Sequence, residues 1–579
     1  MHDLVIRGGR VVDGTGAAAR TADVAVTDGV ITEVGRVDGR ARRTLDADGA
    51  IVTPGFVDTH THFDGQATWD PHLVPSCWHG VTTAIVGNCG IGFAPLRPGQ
   101  QDRLIEVMEG VEDIPGVALS EGIAWGWESF GEYLDVLDAM PRAVDVAAHV
   151  PHAALRTYVL GPEREQGPAT RAEVEQMEGL VREAMLAGAV GVSIGRTAGH
   201  LDSRGGHVPG TFAASEEVGA LTRVMAEMGR GVLQVVPAGV GGATPGEASD
   251  AMEVELDWMV RYGLESGRPI TFLVMQNNNE PDRWRGWFET ARDANARGAQ
   301  IRPQVASRCF GVLMGLQSRL NPLRHRASFA AIASLPLPEQ VERLRDPELK
   351  RRVLDDAPLP GATGLDLLPA GTFENLFPLG SKLDYEPGPE QSLAAMARRE
   401  GRDPWETLYD SLLGAEGHEF LLYPMLNYGG GSLDGVGDML ADPITVQGLG
   451  DGGAHCAILC DASMTTYLVS HWSRDRDHGR IGLETAVKRL TLDGAELYGF
   501  DDRGVLAPGY RADVNVIDYD ALGLAYPERV ADLPAGGTRL VQRSTGYVET
   551  IVCGEAIVVG GELTDARPGK LLRGGVTAS

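Results

Sequence analysis

Apolar and polar positions change rhythm three times along the chain. From residue 4 to residue 50 they alternate in short runs, Leu4-Val5-Ile6, Arg10-Val11-Val12, Asp23-Val24-Ala25-Val26 and Val30-Ile31-Thr32-Glu33-Val34, separated by Asp-Gly and Gly-Gly turns. This period of two predicts strands, in a unit too small to bury a core by itself. The same texture returns in Ala512-Asp513-Val514-Asn515-Val516-Ile517, Tyr547 to Val552 and Glu555 to Val559. The simplest packing joins both chain ends into one small β-sandwich.

Between the ends, strand-length apolar runs alternate with helical stretches, the pattern of repeated βα units. The candidate strands are Ala50 to Asp58, Val81 to Gly87, Val144 to Val150, Ala189 to Ile194, Gly231 to Val236, Pro269 to Met275, Gln300 to Val305 and Ile444 to Leu449. This tally predicts an α/β fold, a closed (β/α)8 TIM-like barrel carrying the sandwich. One connecting helix is legible in detail. Thr170 and Glu173 form a capping box, Val174, Met177, Val181 and Met185 follow near helical spacing, and Gly188 is a stop. A proline- and glycine-rich stretch from about 336 to 404 is too long for an ordinary loop and predicts a lid-like insertion between strands seven and eight. The expected division is 1–50 for the first part of the sandwich, 51–500 for the barrel and 501–579 for the rest of the sandwich and a tail.

Charge narrows the partners. Lys+Arg 51 against Asp+Glu 80 gives a formal net charge of -29 over 579 residues, which disfavours nucleic acid and anionic membranes. The first residues lack a basic stretch followed by an apolar run, and no segment approaches membrane-spanning length, so a soluble, cytoplasmic protein with a small-molecule substrate is expected. A homo-oligomer remains open. Cys77, Cys89, Cys309, Cys456, Cys460 and Cys553 are scattered in a long chain, unlike a disulfide framework. The only lysines are Lys350, Lys382, Lys488 and Lys570.

Residues at the C-terminal ends of barrel strands converge on one mouth. Strand one ends Asp58-Thr59-His60-Thr61-His62, and two residues apart on a strand means the same side, so both imidazoles can reach one cation. Strand two ends Gly87-Asn88-Cys89-Gly90, a thiol at the mouth that is either a packing residue or a metal ligand. Strand eight runs into Gly450-Asp451-Gly452-Gly453, a carboxylate that either caps a turn or ligates a metal and takes a proton from a water. Cys456 and Cys460 would share a face if a helix began there, with core packing as their reading.

These strand-one histidines, Gly87-Asn88-Cys89-Gly90 and Asp451 resemble the amidohydrolase superfamily, particularly its N-acyl-D-amino-acid deacylase (D-aminoacylase) branch. The resemblance covers nearly the whole chain, including the split sandwich and Gly504 to Val514. It implies a metal-dependent hydrolase of a linear, non-peptide amide. Many superfamily members bridge two metals with a carboxylated lysine on strand four, but that strand here ends Ser193-Ile194-Gly195-Arg196. The deacylase branch uses a cysteine instead, which Cys89 matches. It also places histidines at the ends of strands five and six, where this chain has Gln234 and Gln276. Glutamine oxygen is a poor zinc ligand beside imidazole, so one Zn2+ on His60, His62, Cys89 and Asp451 is expected, with Asp451 as general base and acid.

The branch's strand-six lysine is absent too, which leaves Arg196 and Arg308 as candidate substrate anchors, each equally readable as a structural ion pair. Gln234 and Gln276 join the substrate side. His149, His152, His200, His207 and His455 lie near strand ends, with His200 and His455 the preferred substrate contacts. Two other functions fit the fold: a metal-dependent lyase or isomerase, and a binding protein that has lost catalysis.

Overall fold

Strands in a parallel barrel are covered on both faces, and the apolar runs of the central chain fold accordingly. The computed structural model describes residues 1–242, 247–361, 368 and 371–574. Its barrel strands, numbered here one to eight, are Phe56–Asp58, Val81–Val86, Asp145–Pro151, Gly191–Gly195, Val232–Val236, Ile270–Leu273, Ile301–Val305 and Val446–Gln447. Every adjacent pair is parallel. Closure runs through the segments just beyond strands one and eight. Thr59 Oγ1 donates to Gln447 O at 3.0 Å, while Asp451 N donates to His60 O at 3.1 Å and His62 N to Gly452 O at 2.8 Å. The seam that seals the barrel is thus the seam between its first histidines and Asp451.

The predicted single run from Ala50 to Asp58 is divided. Ile51–Pro54 pairs antiparallel with Val514–Ile517, Val52 opposite Val516, and only Phe56–Asp58 enters the barrel. Gly55 is the pivot: a Cβ there would lie 2.2 Å from Thr82 Oγ1. The two chain ends meet as the alternation predicts, in a nine-stranded sheet. Leu4, Ile6, Val24, Val26 and Ile31 pack with Val514, Val516 and Ile551 in one core. Asp145, at the start of strand three, is fastened to this domain by Arg503 at 2.7 Å and Arg511 at 3.1 Å.

The helix read from sequence forms as Arg171–Ala187, with the Thr170–Glu173 capping box and Gly188 left-handed at its end. Between strands seven and eight the chain builds a three-stranded antiparallel sheet from Phe310–Gly315, Phe377–Pro378 and Phe420–Leu426. Short helices including Leu337–Leu344, Pro347–Asp355 and Pro404–Leu412 pack on it around a separate core of Val312, Leu344, Val353, Leu408 and Leu421. The stretch 336–404 lies within this unit, except that residues 362–367 and 369–370 fall outside the described residues. No described helix is long and apolar enough to cross a membrane.

Candidate metal centre

His60, His62 and Cys89 present ligand atoms that all lie within 4.8 Å of one another, at the C-terminal mouth of the barrel. Cys89 Sγ is 3.1 Å from His60 Nε2 and 3.5 Å from His62 Nε2. Asp451 Oδ1 stands 3.4 Å from His60 Nε2. The four strand-end residues named from sequence are therefore neighbours, all buried.

The backbone holds two of them in an unusual state. Cys89 and Asp451 both have positive φ, 56° and 41°. Non-glycine residues there persist where surrounding contacts over-determine them. Cys89 N donates to Gln234 Oε1 at 2.8 Å, and Asp451 N is held in the barrel seam. Gly90 allows the close approach beside the thiol, since a Cβ there would meet Gly195 N at 2.5 Å. His60 is oriented from behind, its Nδ1 2.7 Å from Gln304 Oε1. A carbonyl oxygen only accepts, so the proton sits on Nδ1 and the Nε2 lone pair faces Cys89.

The electrostatics suit a donor set for a cation. Burial pushes the carboxyls of Asp58 and Asp64 up to about 7. Burial also raises Glu112, reinforced by Asp451 and Asp64, and raises Asp451, reinforced by Asp461 and Asp58. The Cys89 thiol is raised by burial and then by Glu112, Asp451 and Asp64. Burial lowers His60 to about 4 and pushes His62 well down, with neighbouring imidazoles adding to the effect on His62. Among the described residues, no lysine or arginine forms an ion pair with Asp58, Asp64, Glu112 or Asp451. Asp58 Oδ2, Asp64 Oδ2 and Glu112 Oε2 are buried without a hydrogen bond. Neutral imidazoles, a thiol and unneutralised carboxylates fit a divalent, zinc-like ion.

The remaining candidates divide. His455, also at positive φ (48°), brings its Nε2 to 3.6 Å from Glu112. His200 lies within electrostatic reach of His60, His62 and His455, with Nδ1 buried and unpaired. His149 is buried with neither ring nitrogen hydrogen-bonded, and its ring packs 5.4 Å from Tyr498. His152 is bound to Glu217 at 2.7 Å, and His207 packs against Phe212. Gln276 is turned to Pro281 O and Gly429 N. Arg196 Nε donates to both oxygens of Glu255, at 2.8 and 2.7 Å. Arg308 is fully buried on Asp461 at 2.8 Å, with its guanidinium 4.0 Å from the Tyr385 ring centroid. No helix aligns Cys456 and Cys460: helical structure starts only at Asp461–Ser463, and both thiols are simply buried.

Glu112 and Gln304 escaped the sequence reading. Glu112 ends the helix Gln101–Glu112, four residues after Met108 and eight after Leu104, both buried. A carboxylate on the apolar stripe of a helix was the available signal. A cavity of about 400 Å³ is lined by Glu109, Asp113, Arg319 and Ala457.

Comparison with known proteins identifies the family. A family model described as the amidohydrolase family matches residues 43–558. The chain is 27% identical over 531 residues to an N-acyl-D-glutamate deacylase of Alcaligenes xylosoxydans xylosoxydans, covering 90% of this chain and 88% of that one. A solved structure of D-aminoacylase, studied for its binuclear metal centre, superposes with a TM-score of 0.66 at 25% identity, over 99% of this chain and 100% of that one. An N-acyl-D-glutamate deacylase from Bordetella bronchiseptica, complexed with zinc and a phosphonate mimic of the tetrahedral intermediate, gives 0.64 at 25% identity, over 99% of each chain.

Proposed function

Because this chain belongs to the amidohydrolase family, and is a hydrolase acting on amide bonds, we propose that it removes an acyl group from a small N-acylated molecule using one zinc-like ion. His60, His62, Cys89 and Asp451 hold that ion. The observation that carries the reading is the meeting of the two imidazoles and the thiol within 4.8 Å, with Asp451 3.4 Å from His60. Bound there, such an ion supplies an acidified water as nucleophile and polarises the scissile carbonyl.

The chain's own residues do the rest. Asp451 accepts the proton released during attack and returns it to the leaving nitrogen, so one carboxylate serves as base and then acid. Gln304 and Gln234 fix His60 and Cys89 so that neither reorganises during turnover. His200 and His455 serve the substrate, by hydrogen-bonding the developing oxyanion. Arg308 could anchor a substrate carboxylate only by giving up Asp461, Ser463 Oγ and the Cys460 carbonyl. Arg196 is committed to Glu255.

The test is metal content and turnover on a panel of N-acyl-D- and N-acyl-L-amino acids. Wild type should carry about one equivalent of metal, and Asp451→Asn should lower turnover by ~10²–10⁴. Protein without stoichiometric metal, or an Asp451→Asn variant that works normally, would sink the scheme. Gln234 and Gln276, at positions where the resemblance places histidines, favour one other reading, a metal-dependent lyase or isomerase. Reaction in heavy-oxygen water separates the two, since only hydrolysis puts the label into the product acid.

A further inference from the structure

His62 Nε2 faces two partners at the same distance: Cys89 Sγ and Glu112 Oε1, each 3.5 Å away. Adjacent donors on one ion with bonds of 2.0–2.3 Å lie about 3–4 Å apart, whether the ion takes four ligands or more. The His60–Asp451 distance of 3.4 Å falls in the same interval. Two carboxylates therefore flank the His60, Cys89, His62 triad, Asp451 beside one imidazole and Glu112 beside the other.

Glu112 is 1% exposed, and its Oε2 is buried without a hydrogen bond. Its ionisable side-chain contacts are the imidazoles of His62 and His455 alone among the described residues, while Asp451 and Asp64 act on it as like charges. A carboxylate in this setting, at the C-terminal end of a helix whose own dipole opposes it, costs stability unless a cation is nearby. His455 closes over it, its backbone N–H donating to Glu112 O and its ring 3.6 Å from Glu112 Oε2.

We propose that Glu112, delivered by the helix after strand two rather than by a strand end, is a direct carboxylate ligand of the metal centre beside His62. It raises the ligand number above four, closing on the ion from the His62 side, since its oxygens stand outside the group of His60, His62 and Cys89 atoms that lie within 4.8 Å of one another; His455 steadies its second oxygen. The inference rests on the functional reading above, in that both require a metal at His60, His62 and Cys89.

Metal-free wild type, Glu112→Gln, Glu112→Ala and His455→Ala are titrated with Zn2+ against a chromophoric chelator and with Co2+ by absorption. Thermal melts of the metal-free proteins report folding. A ligand role predicts that Glu112→Gln and Glu112→Ala lose ~10–100-fold in Zn2+ affinity and change the Co2+ ligand-field bands, while His455→Ala loses much less. Their metal-free melting temperatures should stay level or rise. Wild-type affinity and an unchanged Co2+ spectrum in Glu112→Gln would overturn the inference and leave the functional reading standing. Equal losses in Glu112→Gln and His455→Ala would also overturn it, since that marks a latch rather than a ligand. Failure of wild type to bind metal at all would remove both.

Discussion

Gln304 decides which nitrogen of His60 is free. Replacing it with leucine keeps the volume and removes the acceptor, so the ring can rotate or change tautomer; Zn2+ affinity should fall ~10–100-fold with the fold intact, measured by chelator competition and circular dichroism. His60, His62, Cys89 and Asp451 were legible because each follows an apolar run, the two histidines the same one, and strand ends share one mouth. Gln304 was not, because its role depends on facing His60 across the barrel. Glu112 was half legible, as a charge on an apolar stripe, but a helix wheel does not say what the stripe packs against.

At His79, away from the centre, burial lowers the imidazole to about 4. It is sandwiched between Gln542 O at 2.8 Å and Thr466 Oγ1 at 2.9 Å. The unfolded chain takes up this proton near 6.5 and the folded one only near 4. Its contribution is therefore complete above 6.5 and lost as pH falls towards 4, on the order of 3 kcal/mol in all. Denaturant titrations of wild type and His79→Gln between pH 7 and pH 4 should diverge by that dependence.

Elements follow their local grammar where the grammar is local. The helix Arg171–Ala187 has the cap and stop that its sequence announces, and Thr170→Ala should cost ~1 kcal/mol, read as a shift in urea midpoint without change in slope. The division of the run Ala50 to Asp58 was not legible, because its apolar residues are continuous and only the distant Thr82 and Asp513 show that Gly55 turns from one sheet to the other. Arg196 belongs to this scale as well. It ties the end of strand four to the helix Ala251–Ser266 through Glu255. Arg196→Met leaves a buried carboxylate without its partner and should destabilise by ~3–5 kcal/mol. A thermal melt checks this, and an unchanged stability with a raised KM would instead mark Arg196 as a substrate anchor.

Across the whole molecule the two ends of the chain are one structure. The matching alternation of residues 4–50 and 512–559 made their pairing foreseeable, but not that Ile51–Pro54 would be the splice. Asp145→Asn weakens the link that Arg503 and Arg511 make between barrel and sandwich. It should cost ~3 kcal/mol or more by leaving two buried guanidinium groups short of a counter-charge, with a melt that stays a single transition if the domains unfold together. There is also a consequence in time. The strand Ile51–Pro54, just before the barrel strand that leads into His60, is bordered by Val514–Ile517, more than four hundred residues downstream. A ribosome adding ~5–20 residues per second needs tens of seconds to deliver that partner. During that interval the edge at Ile51–Pro54 stays open, and the sheet that joins the two chain ends cannot be completed until synthesis is nearly finished.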